Sequence, residues 1–161
     1  MSILRLPLNN DGCVEKGIIR IPKPGYILEV QLTVGTKFHS PQTVLKSNHP
    51  TDEHPEGETI QPLKPFSILE DMLFHINLTT AGAWSFHLTN GENKSHSVRF
   101  IVDPIISIKG KQIPISALCI QTDYGRCIGN VQEWLQNLKP ISELGYNMIH
   151  LPPFQEVGAK S

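Results

Sequence analysis

The chain has 161 residues, with 14 Lys+Arg against 15 Asp+Glu, so its formal net charge is -1 when the seven histidines are neutral. This balance excludes a basic nucleic-acid binder, and the length excludes a complete (β/α)₈ barrel, which needs about 250 residues. Pro (13) and Gly (12) are plentiful while charged residues make up 18%, below the ~25% of an average domain, a mixture that favours short strands joined by turns.

Met1–Asn10 carries no apolar leader, and the only cysteines are Cys13, Cys119 and Cys127. The expected setting is therefore cytoplasmic and reduced, without a disulfide framework. No stretch approaches the ~20 apolar residues of a bilayer-spanning helix, so no membrane partner is expected. From Gly17 to Pro104 the apolar residues recur with period two, the pattern of strands buried on one face. Leu28, Val30, Leu32 and Val34 define one strand, Met72, Phe74, Ile76 and Leu78 a second, and Trp84, Phe86 and Leu88 a third. The short Thr79–Ala83 link with its Gly82 predicts that the last two form an antiparallel hairpin. Asn90–Lys94 is a further turn, leading to a strand at Val98, Phe100 and Val102, and weaker strands are expected at Gly17–Ile21 and Gln42–Leu45. Between them, Ser47–Pro65 carries four prolines and an acidic run and reads as a long exposed loop with a solvated face.

After Pro104 the pattern changes. Ile105–Ile108 and Ile113–Gln121 are apolar runs, and Asn130–Leu144 is helical, with Val131, Trp134, Leu135, Leu138, Ile141 and Leu144 on or near one face. Asn130 and Glu133 have the spacing of a capping box, Gly145 supplies the stop, and Pro140 should kink or split the helix. Tyr146–Leu151 is a strand ended by Pro152-Pro153, so helix, glycine and strand form the αβ half of a parallel βαβ unit. A parallel strand needs neighbours and cover on both faces. Unless this one pairs with a segment such as Ile115–Ile120, the chain reads as the N-terminal part of something longer.

Phosphate-loop, dinucleotide, metalloprotease and hydrolase-elbow motifs are absent. Cys119 and Cys127 are not paired closely enough for a zinc site, and His39, His49 and His54, which bracket the Pro-rich loop, are expected to be solvated rather than ligating; neither a metal nor a cofactor is expected. His75, His87 and His96 fall on outward faces. Glycoside chemistry needs two carboxyl groups about 5–9.5 Å apart across a cleft. Glu70 and Asp71 are adjacent and point apart, Asp103 before Pro104 suits a turn, Asp123 and Glu133 suit capping, and Glu156 alone follows a strand end where parallel barrels place functional groups. No catalytic residue is therefore assigned. Most aromatic residues, Trp134 among them, fall on core faces, which leaves Tyr26, Tyr124 and Phe154 as the more exposed rings.

The segment Leu118–Gly129, then Glu133-Trp134, and above all Gly145-Tyr146-Asn147-Met148-Ile149-His150-Leu151-Pro152-Pro153-Phe154-Gln155-Glu156-Val157-Gly158, resembles the eukaryotic glycogen debranching enzymes. Val102-Asp103-Pro104 and Gly25–Val30 extend the resemblance over most of the chain. It implies a cytoplasmic enzyme of glycogen breakdown with 4-α-glucanotransferase and amylo-α-1,6-glucosidase activities. It also implies a first domain over residues 1–104, a β-sandwich, and the beginning of a glucanotransferase barrel over 105–161, with Tyr146–Leu151 as the first barrel strand. The expected fold is mainly β: an antiparallel sandwich, one helix and one barrel-type strand. On this resemblance Pro152, Gln155 and Glu156 are carried over as the rim of a glucan cleft, and the catalytic carboxylates lie on strands outside this chain. The expected partners are glycogen or another α-glucan and the remainder of the barrel. The alternative is a stand-alone, non-enzymatic sandwich that binds a glycan or a protein.

Overall fold

A computed structural model describes residues 2–15, 17–91, 93–108 and 110–152. The chain divides into two compact units, Met1–Ile105 and Ile106–Ser161. The first contains strands β1 (Ser2–Leu8), β2 (Ile19–Ile21), β3 (Tyr26–Leu32), β4 (Val44–Ser47), β5 (Glu58–Ile60), β6 (Met72–Leu78), β7 (Gly82–Thr89) and β8 (Val98–Val102). The second contains β9 (Ile106–Ile108), β10 (Lys111–Ile113), β11 (Ile120–Thr122), the short helices α1 (Gly125–Ile128), α2 (Trp134–Asn137) and α3 (Lys139–Glu143), and β12 (Met148–His150).

The first unit is sandwich-like. One sheet has the order β1-β3-β6, the other β2-β8-β7-β4-β5. The period-two pattern places Leu28, Val30 and Leu32 of β3 and Phe74, Ile76 and Leu78 of β6 inward. Leu45, Phe86, Leu88, Phe100 and Val102 of the larger sheet join them in one core with no gap between the two contributions. Not every pairing is antiparallel, because β1 runs parallel to β3 and β2 parallel to β8. β1 lies outside the stretch where the alternation is most evident, yet Leu4, Leu6 and Leu8 share its inward face, and Pro7 is tolerated because the strand is at an edge.

Several expectations are corrected here. First, β6 and β7 do not form a hairpin: β6 pairs with β3 and β7 with β4 and β8, so the Thr79–Ala81 link crosses from one sheet to the other. The crossing is held by the Thr80 carbonyl, which accepts from Trp84 Nε1 at 3.2 Å. Second, the Pro-rich segment is not one long loop. Its Glu58–Ile60 pairs with Leu45–Ser47, and a tight turn in which Thr51 and His54 exchange backbone hydrogen bonds of 3.1 and 3.2 Å brings the two strands together. Gly57 (φ +99) makes the return, where a Cβ would collide with the Ser47 carbonyl and lie 2.7 Å from Asn48 Cα. Asp52, Glu53 and Glu56 are exposed on this turn. Third, His49 is not solvated but fully buried. Val34, counted with β3 in the sequence, lies beyond the end of that strand and is exposed.

The second unit is a β9–β10 hairpin and a parallel β11–β12 pair linked through the helical segment. β12 therefore does have a neighbour, though it pairs with Ile120–Thr122, while Ile115–Ala117 is a 3₁₀ turn. The helix expected over 130–144 is split at Leu138 into α2 and α3, with Pro140 in the first turn of α3, where its missing N–H costs least. Its apolar stripe is only partly covered. Trp134, Leu138 and Ile141 are half-buried, but Val131, Leu135 and Leu144 are exposed. Among the described residues of this unit only Ile128 is buried.

Candidate functional site

β11 and β12 start together and end together. The Asn147 side chain accepts the Cys119 N–H at 2.9 Å and donates to the Ala117 carbonyl at 2.9 Å, which fixes the register Ile120↔Met148, Gln121↔Ile149 and Thr122↔His150. At the far end the Asp123 N–H donates to the His150 carbonyl at 3.1 Å, and the chain leaves both strands on the same side. Loops at the carboxyl ends of parallel strands are where such sheets build sites, since they alone converge there. They border a cleft of about 450 Å³. Its walls are Tyr124, Gly125 and Arg126 after β11, Gly129, Val131 and Trp134 at the helix entrance, and Pro152 after β12.

Local interactions set these side chains. The Tyr124 N–H donates to Asp123 Oδ1 at 2.9 Å, and the residue is 57% exposed. The Arg126 guanidinium lies 5.8 Å from the Tyr124 ring centroid, a cation–π distance. Trp134 is anchored by its Nε1, which donates to the Gly129 carbonyl at 3.0 Å, and Asn137 Nδ2 donates to the Ile128 carbonyl at 2.6 Å. The Asn130 and Glu133 capping box is formed, with the Asn130 N–H donating to Glu133 Oε2 at 3.2 Å. Among the described lining residues there is no carboxylate. The described walls therefore offer aromatic rings and a cation, with no carboxylate or imidazole to act as a general acid or base.

The charged groups of the first unit serve packing. Arg5, Glu29 and His75 stand side by side across β1, β3 and β6, with Glu29 taking Arg5 Nε at 2.5 Å and His75 Nε2 at 3.0 Å. Those bonds, His75 first and Arg5 second, hold the Glu29 carboxyl below its ordinary range. Asp103 is not only a turn residue: Arg20 Nε lies 2.9 Å from both its oxygens, and this pair raises the Arg20 pKa. Asp71 caps the chain leaving β3, accepting from the Val34 N–H at 2.9 Å and Gln31 Nε2 at 2.7 Å, and both bonds lower its pKa. His49 packs edge-on to Trp84 with centroids 5.4 Å apart and stacks on Phe100 at 6.4 Å. Burial pushes its pKa down. Its Nε2 lies 3.3 Å from the Thr80 N and O, while its buried Nδ1 has no hydrogen-bond partner among the described residues. His39 instead meets the Phe66 ring at 5.0 Å and the Glu70 carbonyl at 2.9 Å. Among the described residues no group of three or more His, Cys, Asp or Glu side chains is disposed to hold a metal ion.

Of the residues singled out in the sequence, Pro152 lines the cleft and Tyr124 forms its outer face. Gln155, Glu156 and Phe154 lie outside the described residues. Trp134, assigned to a core-facing stripe, in fact lines the cleft. Arg126 was not singled out at all; the signal available was a basic residue two positions after an exposed tyrosine, just past a strand end.

A sandwich-like unit is thus followed in the chain by a parallel β–helix–β unit with an aromatic cleft at the carboxyl ends of its strands. Residues 111–161 match the family described as "Glycogen debranching enzyme, glucanotransferase domain". The curated "Glycogen debranching enzyme" of Saccharomyces cerevisiae is 28% identical over 97 residues, which cover 57% of this chain and 6% of the yeast protein. The chain is thus similar to glycogen debranching enzymes over part of its length, and it spans a small fraction of the length of the curated relative it matches.

Proposed function

We propose that this chain forms the opening part of a glycogen-debranching protein of the cytoplasm. Residues 1–104 form a β domain, and residues 105–161 contribute the first elements of a glucanotransferase barrel. The observation that carries the reading is positional: the segment matching the glucanotransferase family, 111–161, builds the parallel β11–β12 pair and contains every described residue lining the cleft at their carboxyl ends. Pro152, Gln155 and Glu156 serve as the rim of the glucan cleft. The partners are an α-glucan and the further strands of the barrel, which would cover the exposed Val131, Leu135 and Leu144. The parent chemistry is transfer of a glucan segment by retaining attack through a covalent glucosyl intermediate, followed by α-1,6-glucosidic cleavage. The carboxylates for it come from outside this chain, which is inactive alone.

An immunoblot of source lysate with an antibody against Met72–Leu88, followed by a debranching assay of the fractions holding the reactive band, tests this. A band far above 18.0 kDa that co-fractionates with activity on an α-1,6-branched glucan is the expected result. A sole band near 18 kDa without that activity would overturn it. The second reading, a stand-alone non-enzymatic sandwich, would then take its place, favoured by the continuous core of the first unit.

A further inference from the structure

We propose that Ser67, on the loop between β5 and β6, is a phosphorylation site for an acidophilic serine/threonine kinase. Such a kinase takes an extended segment and holds a carboxylate three residues after the acceptor in a basic pocket, so its substrate needs an accessible hydroxyl and an exposed acid at that spacing. Ser67-Ile68-Leu69-Glu70-Asp71 has both, with a second acid beside the first. The same spacing recurs in the sequence only at Thr89 and Glu92. Thr89, however, lies in β7 and pairs with Val44, so reaching it would tear the larger sheet, whereas Ser67 lies outside every strand. The loop is tied at its two ends. The Leu63 N–H donates to the Leu73 carbonyl at 2.8 Å, and His39 Nε2 meets the Glu70 carbonyl at 2.9 Å. Between these ties Ile68 and Leu69 are 71% and 83% exposed, and Lys64 and Pro65 are exposed too. Ser67 Oγ accepts the Leu69 N–H at 3.2 Å, a bond that uses an oxygen lone pair and not the hydroxyl proton. In the transfer, Oγ forms a bond to the γ-phosphorus of ATP as the bond to the ADP oxygen breaks, and the hydroxyl proton passes to the kinase's catalytic carboxylate. The product has somewhere to sit: Lys64, Ser67, Glu70 and Asp71 line a cavity of about 90 Å³, roughly the volume of three waters. There the phosphate, with a charge of about −2, meets one ammonium group and two carboxylates, so repulsion prevails. Asp71 caps the chain leaving β3 through the Val34 N–H and Gln31 Nε2, and the added charge loosens that cap. This inference goes beyond the debranching reading and does not rest on it.

The full chain and its Ser67→Ala, Thr89→Ala and Glu70→Gln variants would be incubated with ATP, Mg²⁺ and a purified acidophilic kinase of the class that phosphorylates casein, and the products located by tandem mass spectrometry. Circular dichroism checks that each variant keeps the fold. The expected result is one phosphoryl group on Ser67, lost in Ser67→Ala, kept in Thr89→Ala, and added about tenfold more slowly in Glu70→Gln, which removes a charge and keeps the side chain's size. The phosphorylated chain should melt below the unmodified one. Incorporation at Thr89 in place of Ser67, or none into the wild type while casein is labelled in parallel, would overturn the site. An undiminished rate in Glu70→Gln would overturn recognition through the acid, and an unchanged or raised melting midpoint would overturn the loosening of the Asp71 cap. None of these failures touches the debranching reading, which the immunoblot and its activity assay test separately.

Discussion

Protonating His49 in the folded chain would put a charge between Trp84 and Phe100, where burial already holds the ring neutral. Unfolding returns the imidazole to its ordinary pKa of about 6.5. Below that pH the unfolded chain therefore binds a proton that the folded chain does not, so stability is complete above pH ~6.5 and is lost as the pH falls through it. Calorimetric melting of the wild type between pH 7 and 5 should show a falling midpoint, and His49→Gln should flatten that slope; an unchanged slope in the variant would place the acid sensitivity elsewhere. Glu29 has the lowered carboxyl of a paired acid, so its contribution disappears in a separate window, below pH ~4.5. Glu29→Gln should leave melting above pH 5 lower than wild type and reduce the further loss below pH 4.5. Gly57→Ala tests backbone rather than charge. The positive φ and the collision with Ser47 predict a loss of about 1–3 kcal/mol in denaturant unfolding, and Gly35→Ala, where φ is also positive but the space is open, should cost less.

The strands themselves were legible wherever one face was apolar over several turns of the pleat. Leu28, Val30 and Leu32, and Met72, Phe74, Ile76 and Leu78, are buried as their alternation requires. Phe74→Ala should cost about 3–5 kcal/mol in the same unfolding assay, the range for removing a buried aromatic ring. Strand partners were not legible. A short glycine-bearing link reads as a hairpin, whereas the pairings of β6 with β3 and of β7 with β4 and β8 make it a crossing between sheets, with the Thr80 carbonyl meeting Trp84 Nε1 and His49 Nε2. The same limit explains His49 and the β4–β5 pair, because prolines and acidic residues announce a turn without saying whether the chain returns to a sheet. The site was read in part. The strand ends, Pro152 and Tyr124 follow from local pattern, whereas the place of Trp134 in the cleft wall, with its Nε1 donating to the Gly129 carbonyl, does not. Arg126 becomes noticeable only once the two strand ends are seen to converge.

The two units differ in how completely they satisfy their own apolar surface. Residues up to 105 close a core in which Phe74, Phe86 and Phe100 are inaccessible, whereas the described residues beyond it bury only Ile128. Residues 1–105 expressed alone should melt cooperatively, and residues 106–161 alone should show no cooperative transition and should bind a hydrophobic dye; a sharp melt of the shorter piece would contradict this account. The parallel edge pair of the larger sheet also dictates an order of events during synthesis. Ile19 lies opposite Phe100, and Ile21 opposite Val102. A ribosome must therefore add roughly eighty residues after β2 before that strand can find its place. Until then the nascent sheet lacks an edge, and apolar Ile19 and Ile21 travel unpaired. A chain released before Val102 would carry most of the sandwich's sequence and still be unable to close it, so the first unit is committed to folding late and nearly all at once.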